Sequence, residues 1–129
     1  MLTESLQITL VLVYAYLIGS VPLAYIVGRL VKGIDIRRYG SGNVGASNVM
    51  IHVGKWAVYP LSLFEIFIKG GSAIWIARYV FDLSPEIQAA AGLLPILGHS
   101  WSVFLGFTGG RGIAPAVGVL FAIAPTSPI

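Results

Sequence analysis

The sequence predicts an all-α integral membrane protein, a bundle of about four hydrophobic helices with two glycine-rich loops on one membrane face. Three observations carry this. Of the 129 residues, 57% are hydrophobic and 10% charged, and the mean hydropathy of +0.87 is far from that of a soluble domain, whose surface needs more charge to stay dispersed. Long apolar stretches alternate with short polar ones. Most cations sit beside a hydrophobic segment, so the net charge of +3 and pI near 9.5 fit positive-inside topology and not a nucleic-acid partner. The sequence contains no cysteine, which excludes disulfides and thiolate metal sites. No repeat, low-complexity tract or second domain divides the chain, so residues 1–129 read as a single membrane domain.

Taken in order, residues 6–31 are almost uninterrupted apolar sequence, long enough at about 1.5 Å per residue to cross roughly 30 Å of hydrocarbon. No basic region precedes the segment and no small-residue cleavage signature follows it, so it is expected to stay as an anchor. Pro22 lies inside it and removes a helical hydrogen bond, predicting a kink between Gly19 and Pro22. Arg29, Lys32, Arg37, Arg38 and Lys55 then frame a polar loop over residues 32–55, opposed only by Asp35. That bias places the loop in the cytoplasm.

A second span is predicted over residues 56–80, with Trp56, Tyr59, Tyr79 and Phe81 suited to the two interfaces. The less basic loop at residues 82–86 is expected outside. Residues 87–97 cover only about half a bilayer, so they are read as a tilted, short or re-entrant helix that returns the chain to the cytoplasmic side. A second glycine-rich loop at residues 98–112 leads into a last apolar helix at residues 113–124, and Pro125-Thr126-Ser127-Pro128 follows it.

The two glycine-rich loops therefore fall on the same face and can build one site. Gly40-Ser41-Gly42-Asn43-Val44-Gly45-Ala46-Ser47-Asn48 packs small, hydroxyl and amide residues beside a cationic cluster. Glycines let backbone N–H groups approach a bound group, and Ser and Asn add neutral donors, so phosphate is the leading ligand. Gly109-Gly110-Arg111-Gly112 precedes a helix, whose free N–H groups and positive dipole end would point at the same ligand. Arg111 adds a fixed cation with fork geometry for phosphate oxygens.

Gly19-Ser20-Val21-Pro22, the run from Asp35 through Gly40-Ser41-Gly42-Asn43 to Val49, Gly98-His99, and Phe104-Leu105-Gly106-Phe107-Thr108-Gly109-Gly110-Arg111-Gly112 together resemble the bacterial acyl-phosphate:glycerol-3-phosphate acyltransferases. The resemblance covers nearly the whole chain. It implies a multi-pass enzyme of the bacterial inner membrane, its glycine-rich loops facing the cytoplasm, that moves a fatty acyl group from acyl phosphate to the 1-hydroxyl of glycerol 3-phosphate. Lysophosphatidic acid, a phospholipid precursor, and inorganic phosphate would be the products. By resemblance, Ser41, Gly42, Asn43, Gly45, Ala46, Ser47 and Asn48 line the phosphate loop, and Gly109, Gly110 and Arg111 close it. His99 is the candidate catalytic residue, placed to orient the attacking hydroxyl unless the leaving phosphate takes the proton itself. Arg37, Arg38, Lys69 and Glu65 are candidate supporting charges. The mixed anhydride is already activated, so no metal or cofactor is expected, and positioning with anion stabilisation suffices.

Several positions depart from the family pattern. Ser47 stands where the motif has Thr, and Ile51 stands where an arginine usually grips substrate phosphate. Thr108-Gly109-Gly110-Arg111 replaces Lys-Gly-Gly-Lys. The Asp-x-x-Lys-Gly motif reads Ile66-Phe67-Ile68-Lys69-Gly70, with Glu65 displaced by one residue. On an α-helix that shift turns a side chain by about 100°, although Glu65 can still pair with Lys69 at i, i+4. The resemblance also implies further membrane helices and a C-terminal motif bearing His and Asn, which would lie beyond Ile129.

Each of these residues has a plainer reading. Lys69 can simply pair with Glu65 or snorkel, His99 can cap a helix, and Arg37 and Arg38 can serve topology alone. Gly70, Gly71, Ser72 and Ala73 suit helix packing, and Trp56, Trp75 and Trp101 suit belt or packing positions. Two other functions stay open: an impaired homologue that binds lipid phosphate or anions without turnover, and a small transporter component suggested only by Lys69 and Glu65 at membrane depth.

Overall fold

The computed structural model describes residues 2–123. Ala124 and the Pro125-Thr126-Ser127-Pro128 stretch expected after the last helix lie outside the described residues. The described residues form six helices in order: α1 (Glu4–Ser20), α2 (Leu23–Lys32), α3 (Ala46–His52), α4 (Lys55–Val80), α5 (Pro85–Ser100) and α6 (Ile113–Ile123). Single 3₁₀ turns at Ile36–Arg38 and Val103–Leu105 shape the loops before α3 and α6. No strand occurs among the described residues; one isolated bridge joins Ser102 to Thr108.

The first span is broken and not merely kinked. Val21 precedes a proline and is therefore pushed out of the helical region; it is extended at φ −60° and ψ 113°, so the chain leaves α1 and restarts as α2 at Leu23. The break frees the Ser20 carbonyl, and Ser102 Oγ from the second glycine-rich loop donates to it. Hydroxyl capping of this kind makes broken helices tolerable at membrane depth. Thr3 Oγ1 accepts from Leu6 N at the start of α1, and Ser84 Oγ accepts from Ile87 N at the start of α5, with Pro85 at the first helical position.

α4 is 26 residues long, and its winding widens from α to π over Phe64–Gly71 and again over Ile76–Val80. α5 has 16 residues, about 24 Å at helical rise. It is longer than the apolar run alone suggested, because Pro85 and Glu86 before that run and Gly98, His99 and Ser100 after it are also helical.

Small residues decide where the helices cross. A Cβ on Gly19 would strike the backbone of Pro95, and one on Gly98 would strike Tyr16 O, so α1 and α5 meet backbone to backbone. Likewise a Cβ on Gly70 would strike Pro115 O, and one on Gly118 would strike Ile66 O, which fixes α4 against α6. Close approach through small residues is how helices associate where lipid removes the hydrophobic drive between them.

Two apolar cores result. One joins α1, α4, α5 and α6 through Val11, Ala15, Ala73, Ile74, Ala77, Ala91, Val119 and Ala122. The other lies under the first loop, with Ala24, Ile36, Val44, Val49, Val53, Ala57, Leu61 and Leu105. Along α4, Glu65 and Lys69 fall between Leu61 of the second core and Ala73 of the first.

The stretch expected as an open loop over residues 32–55 contains α3. Val49 and Val53 are buried beneath it and pin a short amphipathic helix there. Ala46, Ser47 and Asn48 are consequently its first turn and not loop residues.

Candidate active site

A cavity of about 350 Å³ opens between the two glycine-rich segments, lined on one side by Asn43, Gly45, Ala46 and Ser47 and on the other by Arg111, Gly112, Ile113 and Ala114. Glu65 and His99 form its inner wall. Segments more than sixty residues apart in sequence thus enclose one space, with an exposed Arg111 guanidinium and the exposed Ser47 hydroxyl at its edge. The first-turn N–H groups of α6 have no intrahelical acceptor, the first such bond running from Ala116 N to Gly112 O.

Beneath the cavity lies a buried ionic cluster. Lys69 Nζ is 3.2 Å from Glu65 Oε1 and 3.0 Å from Oε2, and 2.7 Å from His99 Nδ1. Lys69 is 1% exposed, Glu65 5% and His99 9%. The i, i+4 pairing of Glu65 with Lys69 forms as the spacing allowed. The displaced carboxylate nonetheless reaches Lys69, on a turn whose winding is π and not α. A smaller chamber of about 10 Å³, bounded by Ser20, Glu65, Lys69, His99, Ser102 and Gly109, lies on the other side of the cluster. His99 is held from the loop side as well. Gly110 N donates to His99 O at 3.1 Å, and a Cβ at Gly109 or Gly110 would strike His99 itself.

Other candidates sit elsewhere. Asn48 is buried, and its Nδ2 donates to Ile36 O, Tyr39 O and Asn43 O at 3.1, 2.9 and 3.1 Å. It shapes the loop from within and does not line the cavity. Ser41 Oγ accepts from Asn43 N at 3.2 Å, and Gly42, at φ +74°, donates its N–H to Tyr39 O. Both build the turn, outside the cavity wall. Arg37 grips Asp35 with two bonds of 2.9 Å and stacks on Tyr25, while the exposed Arg38 lies 4.0 Å from the same carboxylate. Neither arginine lines the cavity. Arg37's hydrogen bonds hold the Asp35 carboxyl down at about 2, and Asp35 in turn raises the Arg37 guanidinium.

Ser62, Ile113, Ala114 and Val117 line the cavity without having been singled out from the sequence, and Ile66, at the motif's Asp position, lines it as well. Ser62 lies three residues before Glu65, so helical spacing alone places it on the same face. Ile51 is 71% exposed, one turn after Ser47 on α3.

Residues 9–129 match the model of a protein family described as Glycerol-3-phosphate acyltransferase. The chain belongs to this family. Among curated relatives, Glycerol-3-phosphate acyltransferase 4 of Dehalococcoides mccartyi (strain CBDB1) is 49% identical over 85% of this chain and 47% of its own length. Glycerol-3-phosphate acyltransferase of Thermus thermophilus is 43% identical over 88% of this chain and 56% of its own. The crystal structure of PlsY (YgiH), an integral membrane glycerol 3-phosphate acyltransferase, in its glycerol 3-phosphate form, superposes with a TM-score of 0.83 at 38% identity, covering 92% of this chain and 58% of that one. Its lysophosphatidic acid form gives 0.80 at 37% identity. The all-helical membrane fold is therefore that of the family. The chain spans about half the length of the curated relatives it matches.

Proposed function

We propose that the chain contributes the phosphate-binding part of a membrane acyltransferase that moves a fatty acyl group from acyl phosphate to the 1-hydroxyl of glycerol 3-phosphate. The observation that carries this is the single cavity walled by both glycine-rich segments, with Arg111, Ser47, Asn43 and the start of α6 around it. These are donors and a cation with no carboxylate except Glu65, which is already paired to Lys69. Such a set suits a multiply charged oxyanion. The relatives' names and the bound state named for the solved structure point the same way.

In the reaction, the hydroxyl oxygen attacks the acyl carbonyl carbon, the carbon–oxygen bond to phosphate breaks, and the hydroxyl proton leaves with inorganic phosphate. No acyl-enzyme is required, because the donor is already activated. Holding both phosphates beside one another supplies proximity, and the N–H groups and Arg111 stabilise the charge that develops. The cationic loop bias supports a cytoplasmic orientation of this face, and the family resemblance supports a bacterial inner membrane, where both water-soluble substrate and lipid-borne donor can reach the site.

The test is product formation by the chain in lipid nanodiscs supplied with acyl phosphate and glycerol 3-phosphate, read by mass spectrometry. Lysophosphatidic acid appearing only when both substrates are present is the expected result. Acyl phosphate that binds but never turns over, in the chain and in a chimera completed with the remaining segment of the Thermus thermophilus relative, would overturn it.

A further inference from the structure

The transfer proposed above gives no task to a lysine sealed at 1% exposure and touching the one histidine on the cavity wall. We infer that Lys69 is a positioning residue that fixes the tautomer of His99, making Nδ1 an acceptor and committing Nε2 as a neutral N–H donor toward the anion loop. The last step, in which that donor meets a phosphate or carbonyl oxygen, rests on the reading of the cavity given above; the tautomer assignment does not.

Proton counting decides the tautomer. Lys69 Nζ stands 2.7 Å from His99 Nδ1, and an ammonium offers three donors and no lone pair. The described groups that meet His99 within the cluster are Lys69 and Glu65, and Arg111 lines the same cavity. One carboxylate balances one cation. Protonating the imidazole as well would set a second positive charge directly against the Lys69 ammonium with no second carboxylate in the cluster to balance it. Both Glu65 oxygens and His99 Nδ1 lie within 3.2 Å of Lys69 Nζ, three acceptors that match the three hydrogens of an ammonium, so the proton is placed on the amine. Nδ1 then accepts from Lys69. Glu65 Oε2, 3.4 Å from Nδ1, is the weaker competitor, because an Nδ1 proton would face the ammonium hydrogens.

A neutral imidazole with Nδ1 free of hydrogen carries its proton on Nε2. That nitrogen points at Gly110, where a Cβ would collide with it while also lying 3.2 Å from Asn43 Oδ1. The hydrogen is thus presented between the two glycine-rich segments. In this tautomer Nε2 cannot take a proton from the attacking hydroxyl. His99 acts as a donor that orients and stabilises, and the hydroxyl proton goes to the departing phosphate.

The experiment is nitrogen-15 NMR of the histidine side chains of the chain in nanodiscs at neutral pH, with the His99 signals taken as those that persist in a His52→Gln variant. Wild type is expected to show Nδ1 as an unprotonated nitrogen and Nε2 as a protonated one, in a single form. Glu65→Leu combined with Lys69→Met removes charge and counter-charge together, an exchange that buried pairs tolerate, and should release His99 into a mixture of tautomers. An Nδ1-protonated or fully protonated His99 in wild type would overturn the inference without any variant having to fold, as would an unchanged tautomer in the double variant. Titration with glycerol 3-phosphate separates the two readings. A correct tautomer whose Nε2 signal ignores the ligand defeats the substrate assignment and leaves the role of Lys69 standing.

Discussion

Two carboxylate-centred clusters can be set side by side: Glu65 with Lys69 and His99 inside the bundle, and Asp35 with Arg37, Arg29 and Arg38 at the end of α2. Each has one acid and several basic groups, yet the partners' surroundings are opposite. The Asp35 side chain is 10% exposed and that of Glu65 7%, but the arginines around Asp35 are between about a third and most of the way exposed, and all of them come from one continuous stretch of chain between Arg29 and Arg38. The Glu65 cluster draws on residues thirty apart, on two helices, and is held by the crossings at Gly98 and Gly70. Exposed pairs contribute little because water competes for both charges. Buried pairs must offset a large desolvation cost, so their persistence says more about what the site does than about how stable the fold is. The outer cluster shapes a loop, while the inner one holds a chemical state.

The widest separation between the clusters should come from disrupting each by one residue. Lys69→Met leaves Glu65 buried without a counter-charge and is expected to cost about 3–5 kcal/mol in a denaturant titration of the detergent-solubilised protein. Adding Glu65→Leu should recover most of that loss. Equal stability of single and double variants would erase the distinction.

A second pair of substitutions probes what the cavity bordered by the inner cluster recognises. On the proposed role of Arg111, Arg111→Ala would remove a charge-assisted phosphate contact worth about 1.5–3 kcal/mol, so affinity for glycerol 3-phosphate in calorimetry should fall by roughly 10- to 100-fold. Ile51→Arg, one turn from Ser47 on the face that borders the cavity, should raise it in the same range. If neither moves the affinity, phosphate is held elsewhere.

The least change belongs to the outer cluster. Asp35→Asn should cost at most about 1 kcal/mol. Because the folded carboxyl sits near 2 and below its ordinary value of 3.8, its contribution is complete above the unfolded value and fades as pH falls from there through about 2. Thermal melts of wild type and Asp35→Asn should therefore converge only at the acid end of that window. Convergence already at about pH 6, well above both values, would mean the ion pair contributes nothing.

Much of this architecture was legible in the sequence because membrane burial is a matter of length and composition. The four apolar segments announce themselves, and Pro22 announces the interruption between α1 and α2, though periodicity does not reveal that Val21 would turn a bend into a break. The meeting of the two glycine-rich segments follows from counting crossings. Side-chain direction was less readable. Asn48 belongs to the same motif as Asn43, yet the buried valines after it turn its amide into the loop's interior. Arg37 looks like a phosphate ligand until Asp35, two residues away, occupies its fork. The Lys69–His99 contact joins residues thirty apart on α4 and α5, and where those helices meet leaves no mark in local pattern.

The three carbonyls that converge on Asn48 have a consequence of their own. Residues 36, 39 and 43 are fastened to one amide on α3, so the first glycine-rich segment is carried as a rigid attachment of that helix. A ligand that meets the segment therefore also meets α3, whose Val49 and Val53 are buried in the core beneath the loop.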